Sequence, residues 1–264
     1  LIAGPCVIES EEICIKIAQG AKPGEGGDLP AAKVDEFIAS IRHVRVGTRL
    51  ISPPPNHDIY SIEDLKGRIR GLRALNPRAR ISIKMASMPG LGTIAVGAVK
   101  AGADVLEISG YDGGTGAAGE QSINHCGYSV EIGLAEAHQY LVRAGLRNRV
   151  KLVADGKMQT VKDFSKMRAV GADAVGLGTI MMAYVQCIAC VNCHTNTCPK
   201  GITTQSKQFQ RQRFVGKDLV FEQELDKQDE FQIEMGAQGV ERGIMTFLRA
   251  AQEEFAKMGV TGED

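Results

Sequence analysis

Short apolar runs alternate with longer segments whose apolar residues recur every three or four positions. That is the pattern of parallel strands covered by helices. Strands are predicted at Leu1–Ala3, Ile13–Ala18, Ile81–Met85, Val105–Ile108, Val150–Ala154 and Ala174–Leu177. Helices are predicted at Ser61–Leu75, Leu91–Ala101, Gly133–Ala144, Thr160–Val170 and Gly239–Lys257. The last carries Val240, Ile244, Phe247, Leu248, Ala251, Phe255 and Met258 on one stripe, which reads as a packing face. A joint, AGAD or VGAD (Ala101–Asp104, Val170–Asp173), twice precedes a strand, and its glycine reads as a helix C-cap. Gln205–Glu230 is polar and charged and reads as a solvated connection. The fold class is α/β, a (β/α)8 barrel, with residues 1–204 as the barrel and 205–264 as a helical extension packed on it. A closed barrel takes eight strands, and six are predicted. Because the sequence opens at Leu1 rather than Met, the expectation is a chain that lacks its first βα units.

Composition narrows the function. A length of 264 residues suits a barrel of about 250. The 31 basic and 31 acidic residues balance, which gives no footing for nucleic acid or an anionic membrane as partner. No secretory signal or membrane-length apolar run appears, so a cytoplasmic, reducing setting is expected. There are seven cysteines. Cys6, Cys14 and Cys126 are scattered and read as buried small hydrophobes. Cys187, Cys190, Cys193 and Cys198 follow C-x2-C-x2-C-x4-C, with Pro199 next. Thiolates this close in a reducing setting call for a metal. Zinc sites usually come as two separated C-x2-C pairs, whereas a tight run ending in Cys-Pro, with His194 the one other nearby ligand type, favours iron–sulfur ligation. Zinc and plain reduced cysteines stay open on the residues alone.

Chemistry should gather at strand C-termini, where α/β barrels build their sites. Lys16–Asp28 (KIAQGAKPGEGGD) follows a strand with four glycines and two lysines, a loop suited to an anion. Leu50–Ser61 (LISPPPNHDIYS) holds three consecutive prolines, and Asp58 or Ser61 can cap the following helix. His57 and Asp58 read as rigidifying and capping residues at least as well as acid–base groups. Lys84 interrupts the apolar strand ISIKMA and needs an anionic or polar partner, such as a flavin edge. Gly110–Gly116 (GYDGGTG), Asp155–Lys157 (DGK) and Gly176–Thr179 (GLGT) each end a strand, and the last two lie where barrels commonly bind phosphate.

Read together, KIAQGAKPGEGG, LISPPPNHDIYSIEDL, SIKMAS, GTIAVGAVKAGADVLEISGYDGGTGA, DGK, GLGT and C-x5-C-x4-CP resemble the FMN-binding synthase domain of glutamate synthase large subunits, from about Glu12 to Gln205. The resemblance implies a (β/α)8 barrel that binds FMN and a [3Fe–4S] cluster. It implies cluster ligands at Cys187, Cys193 and Cys198. Flavin contacts fall at Lys84, Gly113, Gly114, Thr115, Gly116, Gly156, Lys157, Gly178 and Thr179, and Lys84 is also the expected catalytic residue, stabilising negative charge on the reduced flavin. A 2-oxoglutarate loop falls at Lys22–Gly27 (Lys22, Gly24, Glu25, Gly26), with Lys16 and Arg42 as neighbouring cations. Glutamine-derived ammonia from a glutaminase domain or subunit would condense with 2-oxoglutarate. Electrons would come from ferredoxin or an NAD(P)H-oxidising subunit, in a hetero-oligomer.

Four departures from that pattern stand out. Cys190 is an extra thiol that opens a [4Fe–4S] alternative; Asp28 replaces a Gln and would repel a dicarboxylate; Tyr111 replaces a His; and the phosphate loop is shortened to DGKMQT. Rival expectations are an electron-transfer subunit that has lost amination, an N-methylglutamate synthase, and a zinc-stapled barrel without flavin.

Overall fold

The structure, a computed structural model, describes residues 11–51, 59–113, 120–206 and 225–258. Along the chain run β1 (Glu12–Lys16), β2 (Asp28–Leu29), α1 (Glu36–Arg42), β3 (Leu50–Ile51), α2 (Ile62–Leu75), β4 (Arg80–Ala86), α3 (Leu91–Ala101) and β5 (Val105–Ser109). Then follow α4 (Glu120–His125), α5 (Val130–Arg143), β6 (Lys151–Asp155), α6 (Val161–Val170), β7 (Ala174–Gly176), α7 (Thr179–Tyr184) and α8 (Leu225–Lys257). The described residues divide into two compact units, one within 1–26, 53–158 and 162–176, the other within 27–52, 159–161 and 177–264.

The first unit is an α/β layer on a five-stranded parallel sheet in the order β1-β4-β5-β6-β7. From β4 onward each strand lies beside its predecessor with a helix between, as in a sector of a (β/α) barrel. Five of the predicted strands are these; Leu1–Ala3 lies outside the described residues. Strand period two gives the sheet two different faces. Ile13, Ile81, Ile83, Leu106, Ile108 and Leu152 are fully buried on one face. The helices α2, α3 and α5 pack in succession and contribute Leu65, Ile69, Leu91, Leu134 and Leu141 to the same apolar core. The other face is polar, with Lys16, Lys84 and Glu107 in register across three strands and Ser109 in register with Asp155 on the fourth. Helix α2 opens on the cap that the sequence offers: Ser61 Oγ accepts from Asp64 N–H while the Asp64 carboxylate accepts from Ser61 N–H.

The repeated Gly-Ala-Asp joint is a structural device used twice. Ala103 N–H reaches back to Ala98 O and Ala172 N–H to Met167 O, the long bond of a Schellman cap. Asp104 then accepts from Ile81 N–H and Arg73 Nη2, both at 2.7 Å. Asp173 accepts from Leu152 N–H at 2.7 Å and Arg147 Nη2 at 2.9 Å. Each arginine also binds the capping glycine's carbonyl, Gly102 at 2.9 Å and Gly171 at 2.8 Å. One carboxylate thus ties helix end, incoming strand and neighbouring strand together.

In the second unit, β2 and β3 form an antiparallel two-stranded ribbon, and α7 packs against α8. Gly239 and Gly243 of α8 face Tyr184, where a Cβ would come within 2.7 Å of its carbonyl oxygen and 2.4 Å of its ring. Two sequence expectations are corrected here. The polar stretch ending at Glu230 is helical from Leu225, because α8 extends well before Gly239. Its predicted stripe is covered only in part: Ala251 is buried, but Ile244, Leu248 and Met258 are exposed.

Both capping glycines hold positive φ, 112° at Gly102 and 118° at Gly171. A Cβ on Gly171 would lie 2.4 Å from His138 Nδ1, whereas on Gly102 its nearest neighbour is Ile69 Cγ2 at 3.4 Å. Gly102→Ala should therefore cost about 1–2 kcal/mol from the left-handed backbone alone. Gly171→Ala should lower the thermal midpoint further, and equal losses in the two unfolding curves would refute the His138 clash.

Candidate active site

The polar face of the first unit converges on Lys84. Its Nζ donates to Glu107 Oε1 on β5 and, at 2.6 Å, to Asp155 Oδ2 on β6. Ser109 Oγ donates to the same Asp155 oxygen at 3.1 Å and accepts from Gly20 N–H at 3.1 Å. Lys84 is 17% exposed in its side chain. Burial alone would lower its pKa, but the bonds to Asp155 and Glu107 outweigh that and hold it above its ordinary value. The sequence marked Lys84 as needing an anionic partner; the structure supplies two carboxylates. Glu107 is not a predicted site residue, although a lone charge in the apolar strand VLEIS is a readable signal, and Asp155 is predicted only as the first residue of the DGK turn.

Lys16 ends β1 beside Lys84 in register and donates to Gln19 Oε1 at 2.9 Å. Burial first, then the charges of Lys84 and Lys22, lower its pKa. The loop that follows turns Lys22 inward to 3% exposure. Among the described residues its ammonium has no hydrogen bond or ion pair, an arrangement that suits an arriving anion. The loop is held by Ala21 N–H on Gly113 O at 3.1 Å and by a Ser122–Glu25 hydrogen bond. Gly24 and Glu25 are exposed, and Gly26 is half-buried. Gly20 is packed so tightly that a Cβ would fall 1.8 Å from Gly110 O.

A polar cleft of about 200 Å³ opens at the C-terminal ends of β5 and β6, lined by Tyr111, Asp112, Glu131, Gly156, Lys157 and Lys166 among others. Gly156 (φ 139°) and Lys157 (φ 52°) are both left-handed, so the DGK turn reverses sharply. Lys157 is largely exposed, with Asp112 at 3.8 Å. That loose cation beside a glycine turn fits a phosphate monoester. Gly113 is buried against Ser109, while Gly114, Thr115 and Gly116 lie outside the described residues, as do His57 and Asp58. A second, more apolar pocket of about 230 Å³ is lined by Ile17, Gly24, Met85, Met88 and Leu91 among others.

In the second unit Arg42 is the exposed last residue of α1, and Gly178 and Thr179 open α7, both exposed. Asp28 is bound by Arg49 through two bonds, Nε to Oδ1 at 3.0 Å and Nη2 to Oδ2 at 2.7 Å. The expected repulsion of a dicarboxylate by Asp28 is thereby muted, since its charge is already matched. Cys14 and Cys126, expected to be buried, are exposed: Cys14 lies on the polar face of β1, opposite Ile13 and Ile15.

The cysteine run is a loop with an inside. Cys187, Cys190 and Cys193 are half-buried and Cys198 is buried, while Ile188, Ala189, Val191, Asn192 and His194 are exposed. Cys187 Sγ accepts from Ala189 N–H at 3.4 Å. Burial would raise the Cys198 thiol, but backbone N–H groups of Thr203, Ile202 and Lys200 bring it below its ordinary value. The Thr203 hydroxyl is buried and has no hydrogen-bond partner among the described residues. A sulfur ringed by donors fits the thiolate ligand of an iron–sulfur cluster. Among the described residues no three Cys, His, Asp or Glu side chains are close enough to share one metal ion.

Residues 5–222 match a family model described as the conserved region in glutamate synthase. The chain is 49% identical over 210 residues to a chloroplastic ferredoxin-dependent glutamate synthase of Oryza sativa subsp. japonica, covering 80% of this chain and 13% of that protein. It is 50% identical over 210 residues to the NADPH glutamate synthase large chain of Bacillus subtilis (strain 168), covering 80% of this chain and 14% of that one. The chain thus spans about one seventh of the length of these relatives. Among solved structures, a GMP reductase variant from Trypanosoma brucei is similar with a TM-score of 0.37 and 27% identity, over 48% of this chain and 26% of that one.

Replacing Lys84 with Met should cost about 3–5 kcal/mol by leaving Glu107 and Asp155 facing each other without their cation. Adding Glu107→Gln should recover part of that loss. Because the folded Lys84 pKa lies above 10.5, its contribution is complete below that pH and lost as pH rises through the folded value. Urea unfolding across pH 7–11.5 should therefore show an alkaline fall in the parent that is shallower in K84M; parallel curves would refute the clamp.

Proposed function

The chain belongs to the glutamate synthase family, and from that premise we propose that it is the synthase portion, making L-glutamate from 2-oxoglutarate by reductive amination. The match over residues 5–222 carries this reading, because it takes in the lysine loop, Lys84, the glycine-rich strand ends and the cysteine run together. Lys22, enclosed and without a partner among the described residues, binds a substrate carboxylate, and Lys16, fixed by Gln19, presents a second cation. Ammonia released from glutamine on a glutaminase domain or subunit condenses with the ketone to 2-iminoglutarate and water.

FMN, when bound, supplies hydride to the imine carbon. Gly156 and Lys157 would hold its phosphate, and Gly113 packs the loop of β5 against Ser109 beside them. Lys84, its pKa held above the ordinary value, stays protonated at neutral pH and ties Glu107 and Asp155 in place; it is a positioning residue on the polar face. Cys187, Cys193 and Cys198 would hold an iron–sulfur cluster, which when bound supplies single electrons. The donor is a ferredoxin or NADPH through a partner subunit, after the relatives, and the working form is a cytoplasmic hetero-oligomer. Among the described residues no helix is long and apolar enough to cross a membrane.

An electron-transfer subunit without amination is the rival reading to which Asp28 and Cys190 point; against the first of these, Arg49 balances the Asp28 carboxylate within its own ribbon.

The test is glutamate formation from 2-oxoglutarate with ammonia or glutamine and a reduced donor, using the full complex purified without oxygen. Lys22→Met should raise the KM for 2-oxoglutarate about 10- to 100-fold, the worth of one charge-assisted bond, with flavin content unchanged. Flavin reduction without glutamate would refute amination.

A further inference from the structure

We propose that Ser109 is a positioning residue that sets the affinity of the lysine loop for its dicarboxylate; this rests on the reading of Lys22 as the carboxylate-binding group. Lys22 sits in a short turn, its N–H on Gln19 O at 3.3 Å and its own carbonyl accepting from Glu25 N–H at 3.2 Å. The direction of that turn is set by the residues just ahead of it, Gly20 and Ala21. Both are buried, and both amides reach across to the end of β5.

Gly20 N–H donates to Ser109 Oγ at 3.1 Å. Only glycine allows this approach, since a Cβ at position 20 would fall 1.8 Å from Gly110 O and 2.6 Å from Ser109 O. The hydroxyl is held in one orientation. An amide can only donate, and the Asp155 carboxylate bound to Lys84 accepts, so Ser109 takes the first bond and gives its proton to the second at 3.1 Å. Ala21 N–H donates in turn to Gly113 O at 3.1 Å. Gly113 N–H is bound to Gly110 O and Gly110 N–H to Asp155 O, both at 2.7 Å. Two threads therefore run from Asp155 to the lysine turn, one through its side chain and one through its backbone. Ser109 is the link that can be cut without touching Asp155 or Lys84.

Ser109 is fully buried, and a buried amide left without a partner is costly. Without the hydroxyl, the Gly20 amide regains a partner only if the turn shifts toward water, and Lys22 shifts with it. A second buried serine offers the matched comparison. Ser87, just past β4, donates to Ser129 O at 2.7 Å and accepts from Gly133 N–H at 3.1 Å. Its hydroxyl makes the same pair of bonds but joins β4 to α5 rather than to the lysine loop.

The experiment is calorimetric titration of 2-oxoglutarate into the full-length protein purified without oxygen, beside turnover and thermal melting. In Ser109→Ala the Kd should rise about 5- to 30-fold, with turnover at saturating 2-oxoglutarate falling less than affinity does. Ser109→Cys keeps the volume but accepts weakly, and should fall between S109A and the parent. Ser87→Ala should lower the melting midpoint comparably yet keep the parent Kd. Parent affinity in S109A, or in S109C should S109A not fold, would overturn the proposal, as would an equal loss of affinity in S87A. A parent that binds 2-oxoglutarate but makes no glutamate would overturn the amination reading and leave the serine comparison decisive. A parent that does not bind it would overturn both.

Discussion

The polar face of the sheet depends on one ammonium. Lys84 sits between Glu107 and Asp155, so three neighbouring strands meet in a single charge-balanced knot inside a largely buried layer. Without it two carboxylates would face each other where water cannot screen them well. With it, Asp155 is free to take the Ser109 hydroxyl, and Ser109 to take the Gly20 amide, so the knot reaches the base of the lysine loop. A parallel sheet normally buries apolar residues on both faces. Here one face is polar, and the other, with α2, α3 and α5, carries the core.

Much of this was legible in the chain. The strands of ISIKMA and VLEIS and the helix Leu91–Ala101 could be read from period alone, because a buried strand and an amphipathic helix leave different spacings. The Gly-Ala-Asp joints announced their caps but not their arginines. Arg73 and Arg147 precede the aspartates they serve by 31 and 26 residues, a distance no local rule bridges. The same limit hid Glu107 and Asp155 behind Lys84: sequence shows that a strand lysine wants a partner, and only strand order says which. The short elements β2, β3, α1 and α7 carry too few residues for a period to show. Cys14 is exposed rather than buried because alternation in β1 sets it opposite Ile13 and Ile15, whereas composition alone favours burial.

The two candidate sites are built on opposite principles. The lysine loop is tethered at many points, to Gly113, to Ser122 and through the glycine contact with Gly110, so its cations are held ready. The cysteine loop instead relies on a backbone bent repeatedly into left-handed turns, at Gln186, Ala189, Val191 and Asn196.

The Asp28–Arg49 fork has a consequence for anyone comparing or re-engineering related chains. Asp28 carries its own counter-cation in Arg49, so its charge is paired within the ribbon of β2 and β3. Exchanging Asp28 alone for an amide would strand a guanidinium and create positive potential where none exists now. The two positions form a couple, to be inherited or replaced together.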